Sequence, residues 1–140
     1  MSEGTLSGFT LDELFADPKR ETEGVWVDFY NGSKLKLAST ESPVYQARLA
    51  KLAKKHQLQL DADNEESIHL VQEITAEAMS HCVLLDWKGI NMHGQENIPY
   101  TPKLGKEALL KSSKFRKFVT ESAGDHENFR AEVAEKVKKS

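Results

Sequence analysis

The spacing of hydrophobic residues changes period several times along the chain, and each change predicts an element. Leu11, Leu14 and Phe15 fall on one helical face after Thr10, with Glu13 positioned to complete a capping box, so a short helix is expected from Leu11 to Ala16 with Pro18 stopping it. From Gly24 to Ser39 the chain is rich in β-branched and aromatic residues around Asn31-Gly32, which predicts a hairpin. Residues paired across a hairpin lie on the same face of the sheet, so the side chains test the register. A two-residue Asn-Gly loop would pair Val27 with Lys36 and Phe29 with Lys34, mixing charge with apolar residues on each face. A three-residue loop, Tyr30 to Gly32 with Gly32 left-handed, pairs Val27 with Leu35 and Val25 with Leu37, and sets Asp28 against Lys34 and Trp26 against Lys36 on the outside. The second register is the expected one, and its apolar face of Val25, Val27, Phe29, Leu35 and Leu37 needs helices packed over it.

The period then becomes 3.6. Ser42-Pro43 combines a cap with proline at the first helical position, and Tyr45, Leu49, Leu52 and His56 recur behind it, predicting a helix from Pro43 to His56. A polar loop, Gln59 to Asp63, leads to a longer helix expected to be capped by Asp63 with Glu66 reaching back, and buried along Ile68, Val71, Ile74, Ala78 and Cys82. Asp86 to Pro102 shows neither period and reads as an ordered loop or a small second hairpin. Thr101-Pro102 repeats the cap-plus-proline signal before Leu104, Leu109 and Leu110, and a further run carries Phe115, Phe118 and Val119 up to Gly124. Asp125 is placed to cap a last helix with a thin stripe of Phe129, Val133 and Val137.

The fold class implied is α+β: a small N-terminal β-hairpin packed with a predominantly helical domain of about five to six helices. All 140 residues are read as one domain, a length that buries a core without disulfides or metals. Within it, residues 1–9 are expected to be disordered, 10–39 to form the short helix and hairpin, 42–85 the two main helices, 86–102 the ordered loop and 102–140 the C-terminal helices. Composition, 39% apolar and 29% charged, changes nothing in this picture, and no apolar run approaches membrane-spanning length. Met1 to Gly8 lacks the pattern of a secretory signal. The single cysteine, Cys82, sits in an apolar helical pattern and reads as a buried small hydrophobe in a reducing compartment.

Charge is uneven: residues 102–140 hold 10 basic and 6 acidic residues, within a chain of net charge -3. Arg48, Lys51 and Lys55 share a helix face that could contact phosphate but more often is simply solvated. The density of Lys and Arg falls short of a nucleic-acid stripe. Catalytic arrangements are sparse, with no glycine-rich phosphate loop, paired cysteines, Ser between paired glycines or His-Glu-x-x-His run. His69, Glu73, Glu77 and His81 recur every four residues and could face one ion. Such steps drift around a helix and no second helix supplies matching ligands, so a solvated face is the better reading. No catalytic residue, metal or cofactor is assigned, and the expectation is a non-enzymatic protein-binding role.

Several segments in order carry a family resemblance: Glu23-Gly24-Val25-Trp26-Val27-Asp28, the basic strand Lys34-Leu35-Lys36-Leu37-Ala38, and the helix after Pro43-Val44-Tyr45. Further on come Val83-Leu84-Leu85-Asp86-Trp87-Lys88-Gly89-Ile90, then Ile98-Pro99-Tyr100-Thr101-Pro102, and finally Glu127-Asn128-Phe129-Arg130. In this order the chain resembles the small tail assembly chaperones of long-tailed siphophages, although none of these segments is a catalytic motif. The resemblance implies a protein of the bacterial host cytoplasm, absent from the mature virion, that binds the tape measure protein and keeps it soluble until tail tube protein replaces it. Physically, an amphipathic groove would cover the apolar stripes of a long helical client. The expected partner-binding residues are Phe115, Phe118, Val119, Phe129 and Val133, because they exceed what a thin terminal layer needs for its own packing. Self-association through unfilled apolar helix faces also fits. The alternatives are another tail or head-completion protein, or a small phage or prophage regulator that binds nucleic acid through Arg48, Lys51, Lys55 and the basic tail.

Overall fold

The computed structural model describes residues 7–131. Three antiparallel strands form one sheet in the order β1 (Val25–Asp28), β2 (Lys34–Leu37), β3 (Leu84–Lys88). The β1/β2 register is the one demanded by the side chains, with Val25 opposite Leu37, Trp26 opposite Lys36, Val27 opposite Leu35 and Asp28 opposite Lys34. Phe29 donates its N–H to the Ser33 carbonyl at 2.8 Å and closes a three-residue tip, Tyr30–Gly32. Asn31 (φ 55°) and Gly32 (φ 79°) are both left-handed there, conformations that asparagine and glycine adopt most readily. Leu35 and Leu37 on central β2 are fully buried, while Lys34 and Lys36 point to the other face. The outer face is thus polar, with the Lys88 ammonium 4.2 Å from the Trp26 ring centroid.

Helices cover the inner face. Among the described residues the helices are α1 (Pro18–Glu23), α2 (Pro43–Lys55), α3 (Gln57–Asp61), α4 (Glu65–Cys82), α5 (Pro102–Lys111) and α6 (Ser113–Ala123), of which α2, α4, α5 and α6 supply the core residues and α1 and α3 bury none. The core gathers Leu35 and Leu37 with Tyr45, Met79, Val83, Leu84, Trp87, Leu109 and Val119. The N-terminal segment closes onto the far end of the described chain: Asp17 N–H donates to the Phe129 carbonyl at 2.8 Å and Ala131 N–H to that of Phe15 at 2.9 Å. The architecture is α+β as the pattern implied.

Several local expectations need correcting. Leu11–Leu14 is a single 3-10 turn rather than a helix to Ala16, and Pro18 opens α1 rather than ending a helix, because the Asp17 carboxylate accepts the Lys19 N–H at 2.9 Å and proline fits the first helical position. Part of the loop expected over 59–63 is helical, as α3. The cap of α4 is Asn64, not Asp63: its side chain accepts the Ser67 N–H and the Ser67 hydroxyl accepts the Asn64 N–H, a reciprocal box that leaves Glu66 out.

Helix α4 ends at Cys82, and β3 follows where a longer helix and then, from Asp86, an ordered loop or small second hairpin were expected; beyond β3 the chain makes one antiparallel bridge, Met92 with Gln95. A short apolar run after a helix cannot be told from helix by periodicity alone. Ile74, Ala78 and Cys82 are buried as expected, but Ile68 (61% exposed) and Val71 (52% exposed) are not. The helix at Asp125 is one 3-10 turn, His126–Phe129, since the backbone beyond it bonds to the N-terminal segment instead. The disorder expected over residues 1–9 and the terminal stripe through Val133 and Val137 fall, for residues 1–6 and 132–140, outside the described residues. Among the described residues no helix is long and apolar enough to cross a membrane.

Candidate functional site

The hairpin tip, the segment after β3 and the α5–α6 corner converge on one side of the molecule, and local chemistry fixes each of them. At the tip, Ser33 donates both its N–H and its hydroxyl to the Tyr30 carbonyl. After β3, Gly89 takes φ 71° and packs where a Cβ would touch the Ser33 backbone at 3.4 Å. Met92 and Gln95 exchange two backbone hydrogen bonds of 3.0 Å, and Ile98 N–H returns to the Ile90 carbonyl at 2.9 Å. At the corner, Ser112 ends α5 and caps α6 by accepting the Phe115 N–H at 3.0 Å, while the Arg116 guanidinium donates to the Leu109 carbonyl at 2.7 Å.

Between these pieces lies an open groove of about 620 Å³. Its lining includes Phe29, Trp87, Ile90, Met92, Ala108 and Phe115. Aromatic packing stiffens one wall: the Phe29 ring meets Phe115 edge-on at 5.6 Å, Phe118 at 4.8 Å and Tyr30 at 4.6 Å between centroids. On the floor, the Trp87 indole N–H donates to the Ile98 carbonyl at 2.7 Å and its ring packs edge-on against Tyr100. Lysines stand on the lip. Lys114 lies 5.1 Å from the Tyr30 ring centroid, and Lys111 donates to Glu107 at 3.0 Å. Glu107 also bonds His93 at 3.0 Å, and these two partners, Lys111 first, hold its carboxyl below the usual range. The groove therefore offers an apolar, largely aromatic interior with mixed charge at its edge, a combination suited to receiving apolar side chains.

The five expected partner-binding residues separate. Phe115 lines the groove and Phe118 supports it by packing on Phe29. Val119 is fully buried and Phe129 is 2% exposed, so both are core residues that present no surface to a partner. Val133 lies outside the described residues. Ile90, Met92 and Trp87 belong to the groove without having been singled out. Their signal was the presence of large apolar side chains in a stretch whose sequence shows no helical or strand period; Trp87 is itself a core residue, 4% exposed, that forms the groove's floor.

The remaining candidates are absorbed into packing. Glu77 on α4 pairs with Lys106 at 3.2 Å, His81 at 3.4 Å and Arg48 at 3.7 Å, and Glu73 pairs with Lys106 at 3.6 Å. The row His69, Glu73, Glu77 and His81 thus contributes carboxylates to ion pairs linking α4 to α2 and α5. Among the described residues no group of three or more His, Cys, Asp or Glu is placed to hold a metal ion. Arg48 turns towards α4, with its Nε buried, and leaves Lys51 and Lys55 as the exposed members of the basic face. Cys82 is a buried free thiol whose pKa is pushed up by burial, against a smaller opposing effect from Arg48.

Residues 40–140 match the model of a family described as YdaY prophage protein. No curated protein and no solved structure matches the chain.

Proposed function

We propose that this chain, which belongs to the YdaY prophage protein family, is a non-enzymatic tail assembly chaperone that binds the tape measure protein and holds it soluble until tail tube protein takes its place. The observation that carries the reading is the groove between the hairpin tip and the α5–α6 corner. It is open and lined by Phe29, Trp87, Ile90, Met92 and Phe115. Its size falls in the range of about 300–1,000 Å³ typical of sites that engulf apolar groups. A helix laid across such a groove inserts side chains at i, i+3 and i+4. The resemblance to siphophage chaperones in the order of segments and the phage origin of the family support the same reading.

The magnitudes suit a temporary holder. Burying two leucine-sized side chains contributes roughly 3–6 kcal/mol. Lost translational and rotational freedom costs about 4–15 kcal/mol, so one groove binds weakly and tight capture needs several contacts or several copies. Co-expression with the tape measure protein tests this. The client is expected to stay soluble and to co-purify with the chain in both low and high salt, because apolar burial is insensitive to screening. A client that remains insoluble, or a complex lost at moderate salt, would overturn the reading.

A further inference from the structure

We propose that the N-terminal arm Phe9–Phe15 of one copy docks in the Phe29–Phe115 groove of a second copy, so that the protein self-associates head to tail. This rests on the reading of the groove as a receptor for apolar side chains. Phe9, Leu11, Leu14 and Phe15 are each at least half exposed, which places four large apolar groups on a seven-residue segment. Leu11 and Leu14 are three apart on the 3-10 turn and so project from one side of it, with Phe15 following in extended backbone. A contiguous patch of this kind on a small protein marks an interaction surface.

The arm is also pre-shaped. Glu13 N–H bonds the Thr10 carbonyl and Phe15 N–H that of Asp12, both at 3.1 Å, and the base of the arm is tied to Phe129 and Ala131. Pre-ordering lowers the entropy lost on docking. Charge identifies the occupant. The arm carries exposed Asp12 and Glu13 between its apolar groups, and the groove's lip carries exposed Lys111 and Lys114. Lys111 shares its charge with Glu107, which leaves Lys114 as the principal counterpart.

No residue of the arm lines the groove of its own chain. The arm's base joins the turn that follows α6, whereas the groove meets α6 at its start, and eleven residues of helix separate the two by ~16 Å. The contact is therefore heterologous: arm and groove are different surfaces, and repetition gives an open row rather than a closed dimer. In the absence of client, such a row covers both apolar patches at once.

Sedimentation velocity of the full chain across a concentration series tests this. Wild-type protein is expected to grow past dimer as concentration rises. Leu14→Asp, which changes an exposed side chain, and Met92→Asp in the groove are each expected to remain monomeric. An equimolar mixture of the two should form a dimer and stop there, because the intact arm of one meets the intact groove of the other and the remaining pair is defective. Lys114→Glu, an exposed change that leaves the apolar lining in place, is expected to weaken association by about 1.5- to 5-fold, the range of one exposed ion pair. It keeps the test decisive should Met92→Asp fail to fold. A wild-type chain that is monomeric throughout, association undiminished by Leu14→Asp, or no effect of Lys114→Glu would each overturn the proposal. No client is present, so these failures leave the chaperone reading standing. A self-associating chain that fails to rescue the client overturns only that reading.

Discussion

Replacing Gly105 with alanine sets two opposing effects against each other. Gly105 is buried in α5, where alanine would ordinarily stabilise the helix by up to ~1 kcal/mol. The added Cβ, however, would collide with the Tyr100 ring and hydroxyl. Tyr100 cannot yield without loss, because its hydroxyl donates to the Ser80 carbonyl and its ring packs edge-on against Trp87 with centroids 4.9 Å apart. The hydrogen bond contributes ~1 kcal/mol and the aromatic pair ~0.5–1.5 kcal/mol. After subtracting the helix gain, Gly105→Ala should cost about 0.5–2.5 kcal/mol, overlapping the cost of about 1–3 kcal/mol for an overpacked core. Tyr100→Leu removes the obstruction, so the same glycine change made in that background should be neutral or stabilising. Urea unfolding followed by far-UV circular dichroism and by tryptophan fluorescence, from Trp26 and Trp87 together, would measure all four proteins of the cycle. If Gly105→Ala matched or exceeded wild-type stability with Tyr100 present, the packing account of this corner would be wrong.

Three further outcomes are expected. Ile74→Ala should destabilise by about 2–5 kcal/mol and Ile68→Ala by less than about 0.5 kcal/mol, since only the first is buried; equal costs in urea titrations would contradict the burial assigned to α4. Burial raises the Tyr100 phenol pKa above its ordinary 10.0, with a smaller contribution from Asp86, and burial likewise raises Tyr45, with a smaller contribution from Cys82. Neutral phenols are thus favoured by the fold. Their contribution is fully present below the unfolded pKa and is lost as pH rises towards the folded value, so urea midpoints should fall between about pH 9 and about pH 11, less steeply in Tyr100→Phe. Cys82 should react with a thiol reagent slowly in the native protein and rapidly in urea, and equal rates would show that the thiol is not shielded.

What could be read from the sequence divides along physical lines. The hairpin register was legible because one face must be apolar and a one-residue slip would invert every side chain. The cap at Thr101 was legible because its determinants, the accepting Thr101 hydroxyl, Pro102 and the donating Leu104 N–H, lie within four residues. Strand β3 was hidden because Leu84 and Leu85 continue the apolar pattern of the helix before them. Ile68 and Val71 mark a helical stripe whose N-terminal half the fold leaves uncovered, a fact set by tertiary packing and not by period. The groove is assembled from three segments distant in sequence, so only Phe115 and its supporting neighbour Phe118 could be suspected beforehand. Val119 and Phe129 looked equally available and are core, since a thin stripe does not reveal which residues close over one another.

The most direct test of the account is photocrosslinking from a benzophenone side chain placed at position 92, in the lining of the groove, in cells that also make the tape measure protein. The account predicts a covalent adduct with the tape measure protein from position 92 and none from position 36, on the opposite face of the sheet. Adducts from both positions alike, or from neither while the client stays soluble, would contradict the claim that this groove holds the client.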